Sequence, residues 1–109
     1  MQAVVLEGYG EVDVLTIQEI PLPEPGPTEV RVKVAATALN RADLLQRRGL
    51  YPGPEAEYEI PGIEFSGTIE SSGEAANKYP IGTKVMGIVG GGGYAEYLVA
   101  DERQIIPIP

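Results

Sequence analysis

The chain has 109 residues and a mass of 11.6 kDa, a size that suits a single domain, and it contains neither cysteine nor histidine. Their absence excludes disulfides, thiolate nucleophiles, imidazole bases and Cys/His zinc sites, so catalysis would have to use carboxylate, tyrosine or lysine groups, or a cofactor. A formal charge of -8, with the eight Lys and Arg residues scattered, disfavours nucleic acid and anionic membranes as partners.

Fourteen glycines and ten prolines divide the chain into segments of strand length, which predicts a mainly β fold. The clearest strand covers residues 29–35, where three valines alternate with charged side chains and form one apolar face. Further strands are predicted at residues 3–6, 14–20, 65–71, 84–89, 94–100 and 104–106. Seven short strands separated by turns favour a closed or nearly closed barrel.

One segment carries the signals of a short helix instead. Asn40 is suited to its N-cap, Asp43 to its first turn and Gly49 to a left-handed end, while Arg47 and Arg48 complement the dipole in the last turn. The apolar contacts of this helix are predicted to come from three leucines, Leu39, Leu44 and Leu45. An acidic, proline-rich loop follows at residues 50–61.

The glycine run at residues 90–93, with Tyr94 and Ala95 after it, contains the Gly-x-Gly-x-x-Ala spacing of a dinucleotide fingerprint. That fingerprint requires a helix after the glycines, because the pyrophosphate binds at the helix N-terminus. The residues that follow here predict a strand. A tight turn between strands is therefore the favoured interpretation.

Four glutamates lie close together in the sequence at and after the acidic loop. For Glu55, Glu57 and Glu59 a solvated loop is favoured over a metal site, because the segment lacks the spacing and central glycine of a calcium loop. Glu64 differs, because its neighbours are apolar and it stands where a strand begins. A carboxylate in that setting needs a partner.

Residues 34–52, VAATALNRADLLQRRGLYP, resemble the quinone oxidoreductases of the medium-chain dehydrogenase/reductase superfamily, in particular the tumour-suppressor-inducible and zeta-crystallin types. Three other stretches fit in the same order, namely the proline-rich connector ending at Gly26, PGIEFSG at residues 61–67, and residues 81–85 with 92–97. The resemblance implies a GroES-like, partly open β-barrel with one short helix, in which residues 1–109 form the N-terminal part of a catalytic domain.

The same resemblance implies a cofactor and a set of site residues. In the zinc-dependent alcohol dehydrogenases of the superfamily, a cysteine and a histidine that hold the catalytic zinc stand where Asn40 and Ile63 stand here, so the chain is similar to the zinc-independent branch. The resemblance also implies NADPH as the cofactor, bound mostly by a separate Rossmann domain that this chain lacks. Asn40 is expected at the nicotinamide ribose. Tyr51 is expected at the nicotinamide as a cofactor-binding and catalytic residue that orients a quinone, while Glu64 has no assigned role.

The function expected from this resemblance is hydride transfer from NADPH to a quinone or another small electrophile, without zinc, by a cytoplasmic and homodimeric parent protein. The chain alone is expected to be inactive. Two alternatives remain open: an enoyl reductase of the same superfamily, and a non-catalytic GroES-like binding or assembly module.

Overall fold

The computed structural model describes residues 1–50 and 56–109, and over these residues the chain is mainly β, as predicted. The strands are β1 (Gln2–Leu6), β2 (Leu15–Glu19), β3 (Glu29–Thr37), β4 (Glu64–Ser72), β5 (Lys84–Ile88), β6 (Tyr97–Asp101) and β7 (Ile105–Pro107). Within the described residues there is one α-helix, α1 (Arg41–Arg47), with single 3-10 turns before β2 and before β7. The prediction of one short helix in a β protein is confirmed.

Two antiparallel sheets make up the domain. β1 pairs with β2, and the other five strands form a sheet in the order β6-β3-β4-β5-β7. A single bridge between Ala3 and Ala95 joins the first sheet to the segment before β6. Over residues 1–50 and 56–109 neither sheet closes on itself, so the architecture is the partly open barrel that the family resemblance implied.

The main core lies under β3 and its neighbours. Val30 and Val32 are fully buried, and they pack with Phe65 and Ile69 of β4 and Leu98 of β6. The predicted valine face of residues 29–35 is thus confirmed. Because burying one such side chain contributes about 1.5 to 3 kcal/mol, this face fixes the register of the central strands.

One predicted strand begins later than expected. The sequence predicted a strand over residues 94–100, but β6 starts at Tyr97. The preceding glycines and Tyr94 instead hydrogen-bond to residues 60–62, since Gly92 N donates to the Ile60 carbonyl at 2.8 Å and Tyr94 N donates to the Pro61 carbonyl at 3.0 Å. That local pairing competes with extension of β6.

The predicted apolar face of α1 is wrong for two of its three leucines. Leu39 is 82% exposed and Leu44 is 50% exposed, Leu45 is half-buried, and the buried residues of the helix are Asp43 and Gln46. The inner face of the helix makes hydrogen bonds to loops instead of packing on the barrel core. The predicted end of the helix is confirmed, because Gly49 adopts a left-handed conformation with φ of 78°.

Candidate functional site

Asn40 lies at the start of α1 and joins the helix to β4. Its backbone is extended, as an N-cap residue requires, and its backbone N donates to Asp43 Oδ2 at 2.9 Å. Its side-chain Nδ2 donates to Glu64 Oε2 at 3.2 Å. The partner that the sequence required for Glu64 is therefore the predicted cofactor-binding residue.

Asp43 is the buried hydrogen-bond acceptor of this site. Besides the backbone N of Asn40, it accepts from Gly62 N at 3.2 Å and from the Tyr94 hydroxyl at 2.6 Å. Burial, together with this bond to the carboxylate, raises the pKa of Tyr94 well above its ordinary value of 10. The sequence predicted only that the charge of Asp43 interacts favourably with the helix dipole. No local sequence signal identifies hydrogen-bond partners that lie 19 and 51 residues away.

Two glycines permit the close approach of the segments that flank Asp43. Gly62 has φ of 104°, and a Cβ there would lie 2.7 Å from Tyr94 N. A Cβ on Gly93 would lie 2.8 Å from the Gly62 carbonyl oxygen, which accepts from Gly93 N at 2.8 Å. The glycine run therefore packs against another backbone segment and leads into a strand. It does not precede a helix, as a dinucleotide fingerprint would.

A second polar cluster lies on the inner face of α1. Gln46 is completely buried and its Nε2 donates to Glu59 Oε2 at 3.1 Å, while Tyr9 donates its hydroxyl to Glu59 Oε1 at 2.9 Å. This hydrogen bond and the negative charge of Glu59 raise the pKa of Tyr9. The interpretation of Glu59 as a solvated loop residue is therefore wrong, because it anchors the helix. Glu57 is exposed as predicted, and Glu55 lies outside the described residues.

Two apolar depressions flank the site. One has a volume of about 470 Å³ and is bordered by Glu64 and by β5 and β7 side chains, among them Met86, Ile88 and Ile106. The other, of about 370 Å³, lies between the proline-rich connector and residues 56–60, and both Ile60 and Gly92 line it. The segments that bond to Asp43 thus also reach the wall of the second depression.

The structure places one of the two predicted cofactor residues. Asn40 is hydrogen-bonded to Glu64 through its side chain and to Asp43 through its backbone N, whereas Tyr51 lies outside the described residues. In the part of the chain that the structure describes, no three carboxylates come together as a metal site would require. Nor does any helix of this part have the length and apolar character needed to cross a bilayer.

The sequence matches the alcohol dehydrogenase GroES-like domain family over residues 26–109. The chain belongs to this family. The fold expected from the resemblance and the relation to quinone oxidoreductases of the medium-chain dehydrogenase/reductase superfamily are both confirmed.

The known relatives are longer than this chain. A quinone oxidoreductase of Pseudomonas aeruginosa is 35% identical over 102 residues, covering 93% of this chain and 31% of that protein. The crystal structure of human synaptic vesicle membrane protein VAT-1 homolog-like protein is 35% identical with a TM-score of 0.93, covering 100% of this chain and 35% of that one. The GroES-like chain spans about a quarter to a third of the curated relatives it matches.

A third relative was solved with a cofactor. A mycobacterial protein in complex with NADPH is 30% identical with a TM-score of 0.88, covering 100% of this chain and 34% of that one. The similarity extends over the whole GroES-like fold. It therefore includes the positions of Asn40, Asp43 and Glu64.

Proposed function

We propose that this GroES-like domain is the N-terminal part of the catalytic domain of a cytoplasmic, homodimeric NADPH:quinone oxidoreductase that works without zinc. The observation that carries the proposal is the Asn40 amide, held by Glu64 at the start of α1. The quinone oxidoreductase among the relatives and the relative solved with NADPH support the reaction class and the cofactor.

The residues around Asn40 suit one end of NADPH. They offer a neutral amide beside a carboxylate, which can bind hydroxyl or carboxamide groups such as those of the nicotinamide riboside. Glu64 and the overall charge of -8 would repel the phosphates. The phosphate end of the cofactor is therefore assigned to a separate Rossmann domain of the parent protein.

The chain's own contribution is to bind, orient and exclude water. Bound NADPH supplies the hydride, so the protein needs to align two flat rings and keep the site dry. Leu39 and Leu44 expose apolar surface on either side of Asn40 in the sequence, and a separate apolar depression lies beside Glu64. These groups suit a flat, uncharged acceptor such as a quinone.

Zinc independence is supported by the side chains available. The sequence has no cysteine or histidine, which zinc sites use most often. Of the carboxylates near Asn40, Asp43 already accepts hydrogen bonds from three donors and Glu64 accepts one from Asn40. The carboxylates at this site therefore serve as hydrogen-bond acceptors.

The proposal is tested by joining this domain to the remainder of the Pseudomonas aeruginosa quinone oxidoreductase. We expect the chimera to oxidise NADPH with a naphthoquinone, followed by the near-ultraviolet absorbance of NADPH, and the 109-residue chain alone to show negligible turnover. Stoichiometric zinc in the active chimera, or rapid turnover by the isolated chain, would contradict the proposal. Faster reduction of an enoyl thioester than of the quinone would favour an enoyl reductase.

Tyr51 is tested in the same chimera. Because a tyrosine that orients a quinone acts through its hydroxyl, Tyr51→Phe is expected to lower kcat/KM about tenfold, the equivalent of one hydrogen bond of about 1.4 kcal/mol. Tyr79→Phe, at a half-buried position against the main core, is the control. Equal rates for the wild type and Tyr51→Phe would remove Tyr51 from the catalytic residues.

A further inference from the structure

Glu64 is placed where it determines the orientation of a neighbouring amide. A carboxylate accepts hydrogen bonds and does not donate them, so the atom of Asn40 that lies 3.2 Å from Glu64 Oε2 must be the NH2 group. The reversed amide would bring two oxygens together. The polarity of the Asn40 side chain therefore follows from Glu64.

The backbones of both residues are fixed independently of this contact. Thr37 donates its hydroxyl to the Glu64 carbonyl at 2.7 Å, and Glu64 pairs with Ile88 of β5 as the first residue of β4. On the other side, the backbone N of Asn40 is held by Asp43. The side-chain torsions of Asn40 are the freedom that remains, and the bond to Glu64 restricts them.

We propose that Glu64 is a positioning residue that presets the Asn40 amide before a ligand binds. This inference rests on the proposed function, in which Asn40 contacts NADPH. After donating one N–H to Glu64, the Asn40 amide can still donate its second N–H and accept at its carbonyl oxygen. Both groups lie in the amide plane, which the bond to Glu64 orients. Binding of a ligand to these groups then costs less of the conformational entropy of the Asn40 side chain.

The size of the effect follows from the type of bond. A hydrogen bond to a charged acceptor is stronger than one to a neutral acceptor, so loss of the carboxylate should matter more than its conversion to an amide. In the chimera, we expect Glu64→Met to weaken NADPH binding about tenfold and Glu64→Gln to weaken it about threefold. Glu74→Met, at an exposed loop position, is the matched control.

The decisive readout is the NMR signal of the Asn40 side chain, which requires no ligand. The chain has only two asparagines, and the exposed Asn77 serves as an internal reference. In the wild type, the Asn40 NH2 protons are expected to exchange with solvent more slowly than those of Asn77. In Glu64→Met they should approach the Asn77 rate, while the backbone amides of Asp43 and Gly62 keep their positions and report an intact site.

The outcomes separate this inference from the proposed function. If the Asn40 NH2 protons exchange at the same rate in the wild type and in Glu64→Met, the inference is wrong, irrespective of whether the chimera binds NADPH. If the exchange of these protons changes as expected but the chimera fails to bind NADPH, the proposed function is wrong and the Glu64–Asn40 contact stands. Should Glu64→Met not fold, Glu64→Gln answers the same question, because faster NH2 exchange is expected there and an unchanged rate overturns the inference.

Discussion

At the scale of single residues, the carboxylate of Asp43 connects three separate parts of the chain. It accepts from the start of α1, from Gly62 before β4, and from Tyr94 before β6. Each donor would lose its acceptor if the carboxylate were removed, and buried unsatisfied donors are costly. Asp43 therefore contributes to the stability of the domain as well as to the geometry of the site.

Asp43→Ala is expected to lower the free energy of unfolding by about 3 kcal/mol, because three donors lose their shared acceptor. Chemical denaturation monitored by circular dichroism measures this change. Asp13→Ala, which removes an exposed carboxylate from the 3-10 turn before β2, should change stability by less than about 0.5 kcal/mol. Equal losses in the two variants would show that the buried network is not formed.

Tyr94 gives a prediction at alkaline pH. Its folded-state pKa is raised, so the stability that its neutral phenol contributes is fully present below pH 10 and is lost as the pH rises further. We expect Tyr94→Phe to cost about 1 to 2 kcal/mol at neutral pH, and we expect that difference from the wild type to shrink above pH 10. In an absorbance titration, Tyr94→Phe should also lose the phenol that ionises last, whereas Tyr79→Phe should retain it.

At the scale of elements, strands were predicted well because their signal is local. The alternation of Val30, Val32 and Val34 with charged residues is visible in seven consecutive positions, and β3 forms there. The helix was also placed correctly by its cap and by Gly49. Its buried face was not, because the hydrogen-bond partners of Asp43 and of Gln46 Nε2 lie in loops distant in sequence. Burial of a polar residue depends on such partners, which residue periodicity does not reveal.

The loop that precedes β4 offers a test of close backbone packing. Gly62→Ala combines an unfavourable positive φ with a Cβ only 2.7 Å from Tyr94 N, whereas Gly82 has a similar φ of 96° and open space around it. We expect Gly82→Ala to cost about 1 kcal/mol and Gly62→Ala at least about 2 kcal/mol more, since backbone must move. Thermal unfolding of the two variants measures the difference. Similar melting temperatures would argue against the close approach.

At the scale of the whole molecule, an excess of acidic groups is balanced locally by a few cations. Arg31 lies on β3 with its side chain only 13% exposed, and it bonds to both carboxylate oxygens of Glu70 and to the Pro23 carbonyl. The bond to Arg31 lowers the pKa of Glu70. Arg31 thus ties the proline-rich connector to the main sheet.

Because the folded-state pKa of Glu70 is lowered, the ion pair contributes stability above the unfolded value of about 4.5 and loses it as the pH falls. We expect Arg31→Met to cost about 1 kcal/mol at neutral pH and expect the difference from the wild type to diminish below pH 4.5. Lys33→Met, at an exposed position of the same strand, is the control. A pH-independent difference for Arg31→Met would show that only packing was lost.

The hydrogen bond between Tyr94 and Asp43 joins residues 51 positions apart, and the one between Gly62 and Asp43 joins residues 19 apart. No short stretch of chain can form this arrangement by itself, so the site cannot order before the barrel does. Local fluctuations that expose the Gly62 amide must also break the contact with α1. The GroES-like domain and its site are therefore expected to unfold as one cooperative unit, and amide exchange at Gly62 should report the stability of the whole fold.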